Sequence, residues 1–507
     1  MIQMHKIRLV YFLMPLVFPM GLSAQTALNI CDDVMPPPTL NPLKELSEKN
    51  HTIIQQMFEG LVRLDTEGRI EPALAVKWRW VDPLTLEFSL RDGVRFHNGE
   101  VFDAEAVRFS VDRFRDPQGG FPGAGFLQSI EKVEVADRLT VRIKTRSPDG
   151  ILLNLLAGLV SMLPPRYTAA LKDPSEFEAN PVGTGAFHFK AWDKKGARLL
   201  LEANPDYWLK GQPKFRELIF HFLPVEQQVD KLLNGQLDIV TELPGTDTLR
   251  VTKSGSSKII KKESFYTVAS SINGTSGPLA DKRVRQAVNY AINKEELIRY
   301  DVLGNGKPLA SLSMAGELGH NPTLKPYPYD PKKAQELLRE AGYPKGLRLK
   351  AVVKAQGKRT MQIISKQLQR VGITVDIHET NDANVIQDIQ KGGWDFTFGG
   401  CPNPLGHSFF IQFIFLSSLS PYSLLKDKVY DEMLQKMVST LDPAKQQEAG
   451  EELDRYIHEQ AFSLFTYQRI KTYGVRKTVD FAPSITGMPY FHLAAPITDE
   501  HAQPRSR

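Results

Sequence analysis

With an N-terminal leader set aside, about 480 residues run on without an internal repeat or a low-complexity stretch, too much chain for one hydrophobic core. Two or more domains of unlike sequence are required, and the local signals mix strand with helix. Leu84, Leu86, Phe88 and Leu90 alternate with Thr85, Glu87 and Ser89, the period of a half-buried strand, and Asp92-Gly93 supplies the turn after it. Asp103 opens a helix as its N-cap, with Val107 and Val111 sharing one face. The segment PLADKRVRQAVNYAINKEELI (278–298) reads as one amphipathic helix burying Val284, Ala287, Val288, Ala291 and Ile292. Asp330, Pro331 and Gly342 mark the N-cap, the first position and the end of another. Two further passages, ESFYTVASSIN (263–273) and YQRIKTYGVRK (467–477), are β-rich and read as extended strands.

The leader is a secretory signal peptide over residues 1–24. Lys6 and Arg8 precede the apolar run Leu9–Leu22, and the small residues Ser23 and Ala24 place cleavage near Ala24. That run is short of the roughly 20 residues a bilayer span needs, and no later stretch qualifies, so a soluble mature protein is expected. Ile30 stands before Cys31 where a lipid-attachment motif wants a small residue, which argues against an anchored lipoprotein. The expected location is the periplasm of a Gram-negative cell. The formal charge of +5 includes Lys6 and Arg8, leaving a dispersed +3, which gives nucleic acid and membrane surfaces no support as partners. His97 lies in an FHNG turn and reads as structural. The histidines show no HExxH spacing, there is no GxSxG elbow, and GTG at 183–185 lacks the ending of a phosphate loop. No catalytic group, metal site or cofactor is expected.

Several segments together carry a family signature. They are FEGLVRLDTEGRIEPALAVKW (58–78), LTLEFSLRDGVRFHNGEVFDAEAVRFSVDR (84–113), NPVGTGAFHF (180–189), NPDYW (204–208) and LNGQLDIV (233–240), followed by the helices at 278–298 and 329–346. In this order, over nearly the whole mature chain, the sequence resembles the peptide/nickel (family 5) solute-binding proteins of bacterial ATP-binding-cassette importers. The resemblance implies an α/β fold: a two-lobed periplasmic binding protein of type II, with mixed sheets and two hinge crossings. The first lobe would comprise residues 25–45, 180–265 and 475–495, enlarged by an α/β subdomain inserted at 46–179. The second lobe would be 266–474, and 496–507 a loose tail. The implied function is a receptor, not an enzyme: a monomer that closes on a small or peptide-like solute and delivers it to a membrane permease with its ATPase subunits. The alternative on the same fold is a periplasmic sensor or chaperone-type partner.

The resemblance also directs attention to the cleft. Peptide-binding relatives pair a ligand's ammonium with an aspartate near WDFTFGGCPNPLGHSFFIQFIFL (394–416), yet from Phe398 to Lys426 this chain has neither aspartate nor glutamate. Cys401 or Pro402 stands at the expected place. Desolvating an ammonium without a counter-charge costs several kcal/mol, so a solute whose amine is free is disfavoured unless Asp32 or Asp33, expected in the exit loop of the first strand, supplies the acid. The expected ligand contacts are Asp32, Asp33, Tyr266, Met314, Phe398, Cys401, Asn403, His407 and Phe409. Each has a rival reading: Asp32 and Asp33 as turn formers, the phenylalanines as core, His407 as a loop hydrogen-bonder, Cys401 as a small buried hydrophobe. Cys31 and Cys401 fall in opposite expected lobes, where a permanent bridge would lock the molecule.

Overall fold

In the computed structural model, residues 26–497 are described; the segment 1–24 expected to be a signal peptide and all but the first two residues of the expected tail lie outside them. Eleven strands form one mixed sheet: β1 (Ala27–Asp33), β2 (Phe187–Asp193), β3 (Arg198–Ala203), β4 (Glu217–Phe222), β5 (Ile239–Val240), β6 (Ser257–Ile272), β7 (Gly306–Pro308), β8 (Leu347–Lys354), β9 (Ile373–Thr380), β10 (Phe396–Pro402) and β11 (Tyr467–Arg476). Their order in space is β9-β8-β10-β6-β11-β5-β1-β4-β3-β2, with β7 paired to β11. β1 runs parallel to β4 and β5, and β8 parallel to β9 and β10. β6 is antiparallel to both β10 and β11. The two halves of the sheet meet at this central β6/β11 pair.

The pairing of β6 with β11 is broken in the middle. Ser257–Glu263 lie opposite Arg476–Ile470, and Thr267 and Val268 opposite Gln468 and Tyr467, so β6 advances from Glu263 to Thr267 while β11 moves only from Ile470 to Gln468. Such a bulge bends the strand that carries the extra residues. Phe265 uses the break to exchange partners: its N–H donates to the Ile485 carbonyl at 2.6 Å, and its own carbonyl accepts from Asn403 N–H at 2.7 Å.

Residues 75–145 add a four-stranded antiparallel sheet. It is built from Ala75–Asp82, Thr85–Leu90, Ile130–Asp137 and Thr140–Thr145 and packs against the helix Ala104–Phe114. The alternation at Leu86, Phe88 and Leu90 buries all three; Leu84 stands just outside the strand and is exposed. Asp103 caps its helix by accepting from Glu105 and Ala106 N–H at 3.0 and 3.2 Å. GTG at 183–185 is a close-approach element. Gly185 N–H donates to the Met57 carbonyl, and a Cβ on Gly183 would lie 2.1 Å from that oxygen. His97 closes the same corner, its Nδ1 accepting from Gly183 N–H at 3.2 Å and its Nε2 meeting the Gly185 carbonyl at 3.0 Å.

The segment read as one helix over 278–298 is two helices, Lys282–Tyr290 and Lys294–Val302. The apolar face holds, with Val284, Ala287, Val288, Ala291 and Ile292 all buried. The break comes from Asn293, which leaves helical geometry and caps the second helix by accepting from Glu296 N–H at 2.9 Å.

One core lies under β8, β9, β10 and the far part of β6, with the helices from 282 to 302, 331 to 340 and 358 to 369. A larger one joins β1 to β4, the inserted sheet and, across the gap, the helix Phe409–Leu416. There Phe126 stands 5.5 and 5.4 Å, centroid to centroid, from Phe410 and Phe413. Asn154 Nδ2 donates to the Leu405 carbonyl at 2.8 Å, and Gly150 N–H to the Val438 carbonyl at 2.7 Å. Three glycines make this approach possible: an added Cβ would lie 2.0 Å from the Thr440 oxygen at Gly150, 2.6 Å from the Pro404 oxygen at Gly158 and 2.6 Å from the Gly68 oxygen at Gly406.

Candidate ligand-binding site

An α/β sheet leaves its crevice at the carboxyl ends of parallel strands, and two such edges face each other here. β5 pairs Val240 with Gly474, so its continuation, Thr241 and Glu242, heads toward the low-numbered end of β11. β10 runs from Phe396 opposite Ile272 to Pro402 opposite Tyr266, heading the other way. Both edges converge on the broken β6/β11 register, over Ser264–Tyr266 and Arg469.

The floor between them is charged. Arg469 Nη2 donates to Glu242 Oε2 at 2.8 Å, and the guanidinium carbon stands 4.9 Å from the centroid of the Tyr266 ring. Two residues further along the same face of β11, Lys471 Nζ donates to Glu48 and to the Gly487 carbonyl and lies 3.3 Å from Glu242 Oε1. Glu48 is the first residue of the helix Glu48–Met57, whose N-terminus attracts its carboxylate. Burial disfavours the Lys471 ammonium, but Glu48, first among its acidic neighbours, outweighs that and keeps the amine protonated well above its ordinary range. For Glu242, burial acts to raise the carboxyl, and Arg469 and Lys471 together hold it below its ordinary value. Yet Glu242 and Arg469 keep 42% and 30% of their side-chain surface in contact with solvent. These side chains are packed among neighbours yet still reach solvent, and Tyr266, half-buried and pushed up to about 12 by burial, is placed the same way.

The facing wall comes from β8 and β10. Lys354 Nζ pairs with Asp382 at 2.7 Å and stands 5.9 Å over the Tyr422 ring. Gly400 has no Cβ because Tyr266 lies across it: an added carbon would come within 2.4 Å of the ring. Gly399 looks the other way, where an added Cβ would meet nothing within 4 Å.

Against this geometry the residues expected to touch ligand divide. Tyr266 and Cys401 are half-buried at the convergence, and burial pushes the Cys401 thiol up to about 12, leaving it neutral. Asp32 and Asp33 end β1 itself instead of occupying an exit loop. Asp32 is buried and its Oδ1 accepts from the Thr241 hydroxyl at 2.8 Å; the side chain of Asp33 lies outside the described structure. Cys31 packs among Val229, Leu232 and Val240, and among the described residues no disulfide forms. Met314, Phe398, Asn403, His407 and Phe409 turn inward. Phe398 belongs to the core beneath β8 to β10, and Phe409 to the apolar contact with Phe126. Asn403 is fully buried and donates from Nδ2 to Glu317 Oε1 at 2.5 Å and to the His407 carbonyl at 2.8 Å. His407 Nδ1 accepts from Phe409 N–H at 3.1 Å, and Met314 Sδ receives the Thr267 hydroxyl at 3.4 Å. These five shape the wall from behind. Glu48, Glu242, Arg469 and Lys471 were not among the expected contacts. For Arg469 and Lys471 the signal was available in YQRIKTYGVR, where the two cations share one strand face with Tyr467, Tyr473 and Val475.

Glu317 also receives Met314 N–H at 2.7 Å, and burial pushes its carboxyl up to about 8. In the unfolded chain it ionises near its ordinary 4.5, so between these values the folded state holds a proton that the unfolded state has lost. Stability from this group is fully present below about 4.5 and falls as pH rises through 8. Glu317→Gln should flatten that decline, narrowing the loss between pH 6.5 and 8 by about 2 kcal/mol in chemical denaturation. Parallel curves for the two proteins would refute it.

The fold and this two-edged cleft define a solute receptor of the bacterial periplasmic-binding class. Residues 69–418 match the family described as "Bacterial extracellular solute-binding proteins, family 5 Middle", and the chain belongs to that family. Among its relatives is the glutathione-binding protein GsiB of Shigella flexneri, 27% identical over 427 residues that span 80% of this chain and 82% of the relative. Its fold is shared with the periplasmic binding protein DppA of Helicobacter pylori, solved with the peptide STSA, at a TM-score of 0.81 and 22% identity, covering 93% of this chain and 98% of that one. AgaA of A. tumefacien R10, solved with agropinic acid, superposes at a TM-score of 0.80 with 23% identity, over 94% and 100% of the two chains.

Proposed function

We propose that this receptor works in the periplasm, captures a small peptide-like or opine-like solute by drawing its two halves together about β6 and β11, and hands it to a permease and ATPase. The observation that carries the reading is the convergence of two parallel-strand edges over a break in the central β6/β11 pair, where the two halves of the sheet meet. A solute held there touches Glu242 on one side and the Tyr266–Cys401 edge on the other, and only a ligand that contacts both sides favours the closed form. The known ligands of the relatives, glutathione, a tetrapeptide and agropinic acid, are small polar acids and support that class. The absence of acids from Phe398 to Lys426 supports a solute whose amine is blocked or is met from the first lobe. The division into a first lobe with an inserted subdomain at 46–179 and a second lobe at 266–474 is part of the proposal, as are the monomeric state and the absence of catalysis. Small-angle scattering of the mature protein tests it with a low-molecular-mass periplasmic fraction that raises its melting temperature. The radius of gyration should fall on binding; an unchanged profile at saturation would sink the closure.

A further inference from the structure

We propose that Arg469 anchors a ligand carboxylate, so that the solute this receptor takes carries at least one. The inference rests on the receptor reading above and names its substrate class.

Arg469 occupies the midpoint of the cleft floor, opposite the bulge at Ser264–Tyr266, where both strand edges arrive. It is fixed before any ligand comes. Glu242, from the continuation of β5, holds Nη2 at 2.8 Å, and the Tyr266 ring supports the guanidinium plane at 4.9 Å. Tyr266 is itself fixed because Gly400 leaves its ring room to lie across β10. Glu242 takes one of the two N–H bonds of Nη2. The other edge of the fork then keeps a parallel pair, one N–H from Nη2 and one from its neighbour, and among the described residues Nε and Nη1 meet no acceptor. A planar fork with one edge pinned and the other open is the geometry that receives a carboxylate in two parallel hydrogen bonds. Thirty per cent of the side chain stays exposed, so the open edge is reached from solvent. The local charge does not oppose an anion. Lys471 answers Glu48, shares Glu242 and feels Asp32 beyond them, which leaves Glu242 as the acid that holds Arg469, and the loop facing it brings no aspartate or glutamate between Phe398 and Lys426.

The test uses the full mature protein and two probe sets, N-acetyl dipeptides with opine-type acids and the same compounds with every carboxylate amidated. Melting temperature screens binding, and calorimetry measures affinity for whatever binds. Acids should stabilise the wild type and amides should not. Arg469→Met should weaken the best acid by roughly 30-fold or more, as expected when a desolvated charge loses its partner, and Arg469→Lys should recover part of that loss. Circular dichroism checks that both variants fold, and the acid-against-amide comparison in the wild type stands without them. Equal binding of acids and amides, binding of amides alone, or silence toward both sets would overturn the assignment. If both sets are silent while a periplasmic fraction still contracts the protein, the receptor reading stands and the Arg469 assignment falls; if nothing contracts it, the receptor reading falls as well.

Discussion

Replacing Lys471 with methionine is expected to destabilise the fold by about 3–5 kcal/mol, the usual cost of leaving buried charge without its partner. Lys471 is 5% exposed and Glu48 15%, so water does little to screen the pair. Without the ammonium, Glu48 keeps its place at a helix N-terminus but loses its counter-charge, and the Gly487 carbonyl loses its donor. Glu242 loses one of two cations but keeps Arg469 and 42% of its side-chain surface in solvent, so it adds less to the cost than Glu48. Guanidinium unfolding of the ligand-free protein measures the loss. Removing the orphaned charge too, in the Glu48→Gln, Lys471→Met double variant, should recover part of it, because a buried pair is costlier to break than to delete. A loss below about 1 kcal/mol in the single variant would show that the network is solvated and that the floor is not as deep as described.

Gly158→Ala should separate stability from closure. The glycine lies near the end of the helix Leu152–Leu159, where alanine is favoured by up to about 1 kcal/mol, so the open molecule should be as stable as wild type or slightly more so. In this structure, taken as the closed form of the proposed receptor, the new methyl would lie 2.6 Å from the Pro404 oxygen, a backbone contact relieved only by drawing the halves apart. The population able to close therefore shrinks, and apparent affinity for any ligand that requires closure should fall by roughly tenfold or more. Calorimetry and thermal unfolding on one preparation decide it. Unchanged affinity would mean that this contact persists in both states and that the boundary of motion lies elsewhere.

What the sequence revealed of this molecule follows the range of the physical signal. Alternation at Leu86–Leu90 and the caps at Asp103 and Asp330 are set by neighbours in the chain, and each is readable there. The two helices within 278–298 were readable as well, because Asn293 and Glu296 stand at capping distance, but a continuous apolar face masked the break. The cleft was another matter. Phe398, Asn403 and His407 lie in the segment that forms its wall, but which side of a strand or loop faces solvent depends on what packs behind it. Here Glu317, distant in sequence, draws Asn403 inward. Arg469 and Lys471 become a floor only when Glu48 and Glu242 are brought from far along the chain. The contact of Phe126 with Phe410 and Phe413 joins residues almost three hundred positions apart, with no local trace of either partner.

The break in the central strand pair gives the two connections unequal compliance. β6 carries two surplus residues between Glu263 and Thr267, where Phe265 bonds outside the pair to Ile485 and Asn403, whereas β11 passes the same point by the shorter path, with Arg469 tethered to Glu242. Two such connections do not fold like the matched leaves of a door. On the proposed closure the shorter one is expected to serve as the pivot and the longer one to swing around it, so closing should carry a twist along with the bend. Arg469 and the Tyr266 ring that supports it would then stay together at the pivot, and a solute gripped at that fork would meet a fixed post before the far wall arrives.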